Sequence, residues 1–85
     1  MTVKEMAERY IKKMSRALED VEVMGCASLD PRRIDEVIDE AKRYFEDAKY
    51  YLDRGLFETS LASVAYSEGL LDALRMLGLV KFEWG

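Results

Sequence analysis

The sequence predicts an all-α fold, a three-helix up-down-up bundle, and three observations carry that prediction. Apolar residues recur by alternating steps of four and three, the spacing of a helical seam. Helix-start residues and glycines punctuate those stretches at only a few places. A single Pro and five Gly in 85 residues leave little of the chain for loops.

The first helix is expected from about Thr2 to Met24. Thr2 is an N-cap residue and Glu5, three positions on, completes a capping box. Val3, Ala7, Tyr10, Met14, Ala17, Val21 and Met24 form its seam, widened by Ile11 and Leu18, and Gly25 is the stop. The second helix opens with Asp30 as N-cap and Pro31 at its first position, and runs to Arg54. Ile34, Ile38, Ala41, Phe45, Ala48 and Leu52 repeat the spacing. Asp39 with Arg43 and Glu46 with Lys49 are solvent-side pairs. Gly55 then leaves so short a connection that the next helix must return antiparallel.

The third helix is expected over about 57–77, with Gly78 closing it. It lacks an ordinary polar face. Ser60, Ser63 and Ser67 read as its outward stripe, and Ala62, Ala65, Gly69 and Ala73 form a second small one. Small residues on two sides let neighbouring backbones come close, which makes this the central helix. The tail from Leu79 to Gly85 carries Phe82 and Trp84 without periodicity and is expected to fold back over the end of the bundle. Tyr44, Ala48, Tyr51, Gly55, Phe57 and Val64 have the spacing of a tetratricopeptide-like hairpin, present here as a single unit, whereas an array needs about three.

Composition bounds the function. A chain of this length is one domain, residues 1–85, burying roughly 60% of its unfolded surface. With 49% hydrophobic and 35% charged residues it is globular rather than disordered. The net charge of −4, with no basic segment, argues against nucleic acid as a partner. No apolar run approaches a membrane span and no signal-peptide core is visible. The lone Cys26 cannot form an internal disulfide, which fits the cytoplasm. It follows a helix C-terminus, the wrong end to stabilise a thiolate. The chain has no His, which removes the commonest general base and metal ligand together. No cofactor motif is present, so a non-enzymatic protein is expected.

One pair of residues invites a chemical reading. Glu68 and Asp72 stand four apart, on one face of the third helix, among apolar and small neighbours. They either bind a divalent metal or small ligand, or meet cations of their own chain. Lys13, Arg16 and Arg75 are the expected partners. A buried pair of this kind would cost about 3–5 kcal/mol to break, an exposed one ~0–1 kcal/mol. Tyr44, Tyr50 and Tyr51 form a cluster on the second helix, with Tyr10 and Tyr66 elsewhere; packing with a wet hydroxyl competes with ligand stacking, and Tyr51 and Tyr66 join Glu68 and Asp72 as the candidate interaction or ligand site. The Met residues (Met6, Met14, Met24, Met76) read first as core filling.

The runs from Tyr44 to Leu52 and from Ala65 to Leu74, with Gly55, Leu77-Gly78 and Trp84, resemble the archaeal domain-of-unknown-function family 357. Its most specific part here is Tyr66-Ser67-Glu68-Gly69-Leu70-Leu71-Asp72-Ala73-Leu74, and the likeness covers about residues 30–85. The resemblance implies a small archaeal helical bundle and brings no activity, substrate or cofactor. In outline such bundles are also similar to helical nucleotide-binding domains whose active members use a His that this chain lacks. The reading that results is a protein-protein interaction or self-association module, a possible dimer. A ligand or metal module centred on Glu68 and Asp72 is the alternative.

Overall fold

The two N-caps form as their sequences dictate. In the computed structural model, which describes residues 1–25 and 28–84, Thr2 Oγ1 accepts the Glu5 backbone N–H at 3.1 Å. The Glu5 carboxylate accepts the Thr2 N–H in return at 3.2 Å. Helix α1 then runs Val3–Asp20. Asp30 accepts the Arg32 backbone N–H at 3.0 Å ahead of Pro31, and α2 runs Pro31–Asp53. Gly55 takes φ +78, a left-handed turn that only glycine adopts without strain. Helix α3 follows over Phe57–Met76. Cys26 and Ala27 of the first loop lie outside the described residues.

The order is up-down-up. Ser60 meets Ala48 and Ser67 meets Ala41, so α2 and α3 are antiparallel. Lys4 lies near Phe57 and Lys13 near Glu68, so α1 runs parallel to α3. Helix α3 packs against both others and is the central helix. Met14, Ile34, Val64 and Leu71 are fully buried between the three. No helix among the described residues is long and apolar enough to cross a membrane.

Helix α1 stops four residues before the expected Met24. Val21 is already extended, and Glu22–Val23 form a short strand β1 antiparallel to Val80–Lys81, strand β2. The Met24 N–H prolongs this pairing by donating to the Leu79 carbonyl at 2.9 Å. The cause is the tail. Leu79, Val80 and Phe82 bury themselves against the bundle end, and their backbone needs a hydrogen-bonding partner that Val21-Glu22-Val23, β-branched on two of three positions, supplies. Met24 consequently points to solvent rather than completing the seam.

The serine stripe also differs from expectation. Ser60 and Ser67 are fully buried, not outward. Ser60 Oγ donates to the Ala48 carbonyl at 2.7 Å, and Ser67 Oγ donates to the Ala41 carbonyl at 2.6 Å. Each carbonyl has a second lone pair beyond its helical bond, so a hydroxyl is satisfied against a neighbouring helix without water. Ala62, Ala65, Gly69 and Ala73 are the ones that face solvent. On α2, Arg43 pairs with Glu40 rather than Asp39, while Lys49 meets Glu46 at 3.0 Å as expected.

Two outcomes test this architecture. Ser67→Leu overfills the α2–α3 contact and is expected to cost about 1–3 kcal/mol, whereas Ser63→Leu, half-exposed, changes stability by no more than ~0.5 kcal/mol. Urea unfolding of the two variants separates them. The second outcome concerns Asp30, whose carboxyl is held below its ordinary 3.8 by hydrogen bonds from the Arg32 side chain and backbone. A depressed native pKa stabilises the fold above the ordinary value, and that contribution is lost as pH falls through 3.8 and below. Asp30→Asn keeps the cap acceptor and should flatten this part of the pH-stability curve in the same measurement.

Candidate functional site

Glu68 and Asp72 project from α3 into a groove against α1, where Met6, Tyr10, Leu61, Ala65 and Gly69 complete the lining. The groove holds about 380 Å³ and opens broadly to solvent. Both carboxylates are paired within the chain. Lys13 Nζ lies 3.5 Å from Glu68 Oε1. Arg75 Nε and Nη2 donate to Asp72 Oδ1 at 2.9 and 2.6 Å.

The cations are two of the three expected, but the pairs are not buried. The Lys13 and Glu68 side chains keep 32% and 28% of their exposure, and the Arg75–Asp72 pair keeps more. That changes the energetics from a buried ion pair to a rim contact. Glu68→Gln is therefore expected to lower stability by only ~0–1 kcal/mol in urea unfolding, not by the several kcal/mol of a buried pair.

Lys13 is more constrained than its partner. Its ammonium sits 4.6 Å from the Trp84 ring centre and 5.7 Å from that of Tyr10. Trp84 stacks edge-on to buried Phe82 at 4.7 Å, and the Glu83 N–H donates to Asp20 at 3.0 Å. One lysine thus joins α1, α3 and the tail through charge and two aromatic faces.

The tyrosines do not join this group. Tyr66 is half exposed and packs edge-on against Tyr44 of α2, ring centres 4.5 Å apart, on the flank away from α1. Tyr51 packs against Tyr50 two helical turns further along α2, near the Gly55 end. The four candidates are three separate features, and only Glu68 and Asp72 share a groove. Among the described residues, no group of three or more Asp, Glu, Cys or His converges as a metal would require.

A different feature emerges on α3. Its outer face presents Ala62, Ala65, Tyr66, Gly69, Ala73, Met76 and Leu77 to solvent, with Met76 and Leu77 exposed by 76% and 71%. The chain has no Lys or Arg between Arg54 and Arg75. That gap was the legible signal. The serines mask it, because their polarity reads as a solvent side.

A family described as a protein of unknown function, DUF357, matches residues 9–80. The chain belongs to that family. The match reaches back into α1, beyond the stretch of residues 30–85 whose motifs carry the likeness, so α1 is part of the family's domain. No curated protein and no solved structure matches the chain.

Proposed function

We propose that this DUF357 protein is a non-enzymatic module that docks another protein chain through the outer face of α3. The observation that carries this reading is the contrast between helices. The outer positions of α1 hold Glu5, Glu8, Arg9 and Lys12, and those of α2 hold Asp35, Glu36, Asp39 and Lys42, whereas between the exposed Glu58 and Thr59 at its start and Arg75 at its end α3 exposes Ala62, Ala65, Tyr66, Gly69 and Ala73. At the same end of the bundle, Val23 and Met24 add exposed apolar surface, by 43% and 61%. Contiguous apolar surface on a small domain marks a contact site more often than isolated exposed residues do.

The chemistry of the face selects the class of partner. With no Lys or Arg between Arg54 and Arg75, and Arg75 tied to Asp72, it offers little to a phosphate backbone, so a protein surface fits better than a nucleic acid. Alanines and a glycine flanked by Tyr66, Met76 and Leu77 are suited to receive a helix. The groove beside Glu68 and Asp72 lends less support to a ligand or metal, because each carboxylate is already paired to a cation of its own chain.

A photo-cross-linking residue at Ala65 tests the reading inside cells. It is expected to give a discrete adduct that Ala73→Arg, on the same face, abolishes and Asp39→Arg leaves intact. No adduct at Ala65, or one indifferent to Ala73→Arg, would overturn it. A thermal shift with divalent cations that Glu68→Gln removes would favour the ligand reading instead.

A further inference from the structure

We infer that the partner docked at α3 presents an acidic helix, and that this helix lies along the groove between α1 and α3 with its carboxylates on Arg9, Lys12 and Arg16. The inference rests on the docking reading above and adds the chemistry of the partner. The observation behind it lies on α1.

Arg9, Lys12, Lys13 and Arg16 follow one another at spacings that place all four on one face of α1. Residues 9–16 hold four of the 13 cations of the chain and none of its 17 acids. The charge of the whole helix hides this cluster, because Glu5, Glu8, Glu19 and Asp20 stand toward its two ends. Like charges three and four apart repel and weaken a helix, so the fold gains nothing from the grouping. The helix dipole does not account for it either. Cations help in the last turn, and the last turn of α1 holds none.

Elsewhere the chain neutralises such groups locally. Arg32, Arg33, Arg43, Lys49 and Arg75 each meet a carboxylate within three residues. Arg9 and Lys12 are exposed, and among the described residues they meet none. Glu5, one turn before Arg9, is engaged in the Thr2 cap, and Glu8, one turn before Lys12, lines the groove between α1 and α2.

What adjoins the row selects the anion. Met6 and Tyr10, both half-buried, line a recess of about 620 Å³ with the four cations and also line the groove that Glu68 and Asp72 share. The surface therefore passes from a cationic edge to an apolar floor. The two acids of the groove are matched by Lys13 and Arg75, which leaves the positive sign of the row standing. From Arg9 to Arg16 the row extends about 10 Å along the axis, and its spacing is that of acids along one edge of a helix laid beside it. An amphipathic acidic helix satisfies both parts, its apolar side on Met6 and Tyr10 and its carboxylates on the row. A long polyanion satisfies them less well. The Tyr10 and Trp84 rings have the Lys13 ammonium against them instead of a base, and outside the row the chain is strongly acidic.

The test uses two synthetic helices of about 20 residues, alike in a stripe of Leu and Ala and differing in whether Glu or Lys lines its edge. Each is titrated into the full chain and followed by NMR at the Met6 methyl. The Glu helix is expected to bind about 5–10-fold tighter than the Lys helix, the difference shrinking at about 0.5 M NaCl. Arg9→Glu with Lys12→Glu should reverse the preference, with circular dichroism showing the helices intact, whereas Lys42→Glu with Lys81→Glu should keep it. Should the first of these variants not fold, Arg9→Gln with Lys12→Gln is expected to abolish the preference. Equal binding of the two helices, no binding of the Glu helix, or a preference indifferent to Arg9 and Lys12 overturns the inference. So does a single-stranded oligonucleotide that binds tighter than the Glu helix and depends on the same two residues. If the Glu helix fails while Ala65 still gives its adduct in cells, this inference falls and the docking reading stands. If the Glu helix binds as expected and Ala65 gives no adduct, the docking reading falls and the acid preference of the groove stands.

Discussion

Ser60 and Ser67 hold α2 and α3 closer than larger side chains would allow, and the rest of the molecule is arranged around that contact. Seven residues separate the two serines, and seven separate the alanines whose carbonyls they reach, so the contact repeats once along a shared heptad. A hydroxyl there does two things at once. It occupies little more space than the alanines opposite, and no buried side-chain polar atom among the described residues is left unsatisfied. With α2 held this close on one side, Val64 and Leu71 of α3 join Met14 of α1 and Ile34 of α2 in one buried cluster. The central position of α3 follows, and so does the direction in which its third side faces.

The α1 side is held by different means. Its seam is aliphatic where it meets the others, through Ile11, Met14 and Ala17, but its far end depends on the tail. Leu79, Val80 and Phe82 close the end of the core, and the two-residue ladder with Glu22–Val23 satisfies the backbone they would otherwise leave unpaired. Lys13 links this closure to the middle of α3, with Trp84 above it and Glu68 beside it. Glu68 is therefore one half of a surface clasp, while Asp72 pairs with Arg75 of its own helix.

Helix starts were fully legible. Thr2, Glu5, Asp30 and Pro31 act within a few residues of themselves, and local rules determine them. The Gly55 turn was legible for the same reason. The errors lie where a residue's partner is remote in sequence. Val21 and Met24 keep the seam spacing, yet β2, almost sixty residues away, takes their backbone out of the helix. Ser60 and Ser67 look like a solvent face until Ala41 and Ala48 are placed opposite them. The candidate site was half legible: the cations for Glu68 and Asp72 could be named, but their exposure depends on how far α1 stands from α3, which no spacing encodes. Tyr51 and Tyr66 could not be placed relative to each other without the crossing of the two helices.

The inversion of the two small stripes has a consequence for function. Had the serines faced outward, α3 would present hydroxyls to water and bury its alanines, and the molecule would have an unremarkable surface. With the serines inside, two of the hydroxyls of α3 are spent on α2, and between Thr59 and Arg75 its fully exposed positions are alanine, glycine and Tyr66. An outer face of Lys and Glu would have been easy to supply, as α1 and α2 demonstrate in the same chain. The charged surface lies mainly on those two helices. On that side α3 carries neither the charge that covers α1 and α2 nor a part of the core, and the proposed docking rests on that difference.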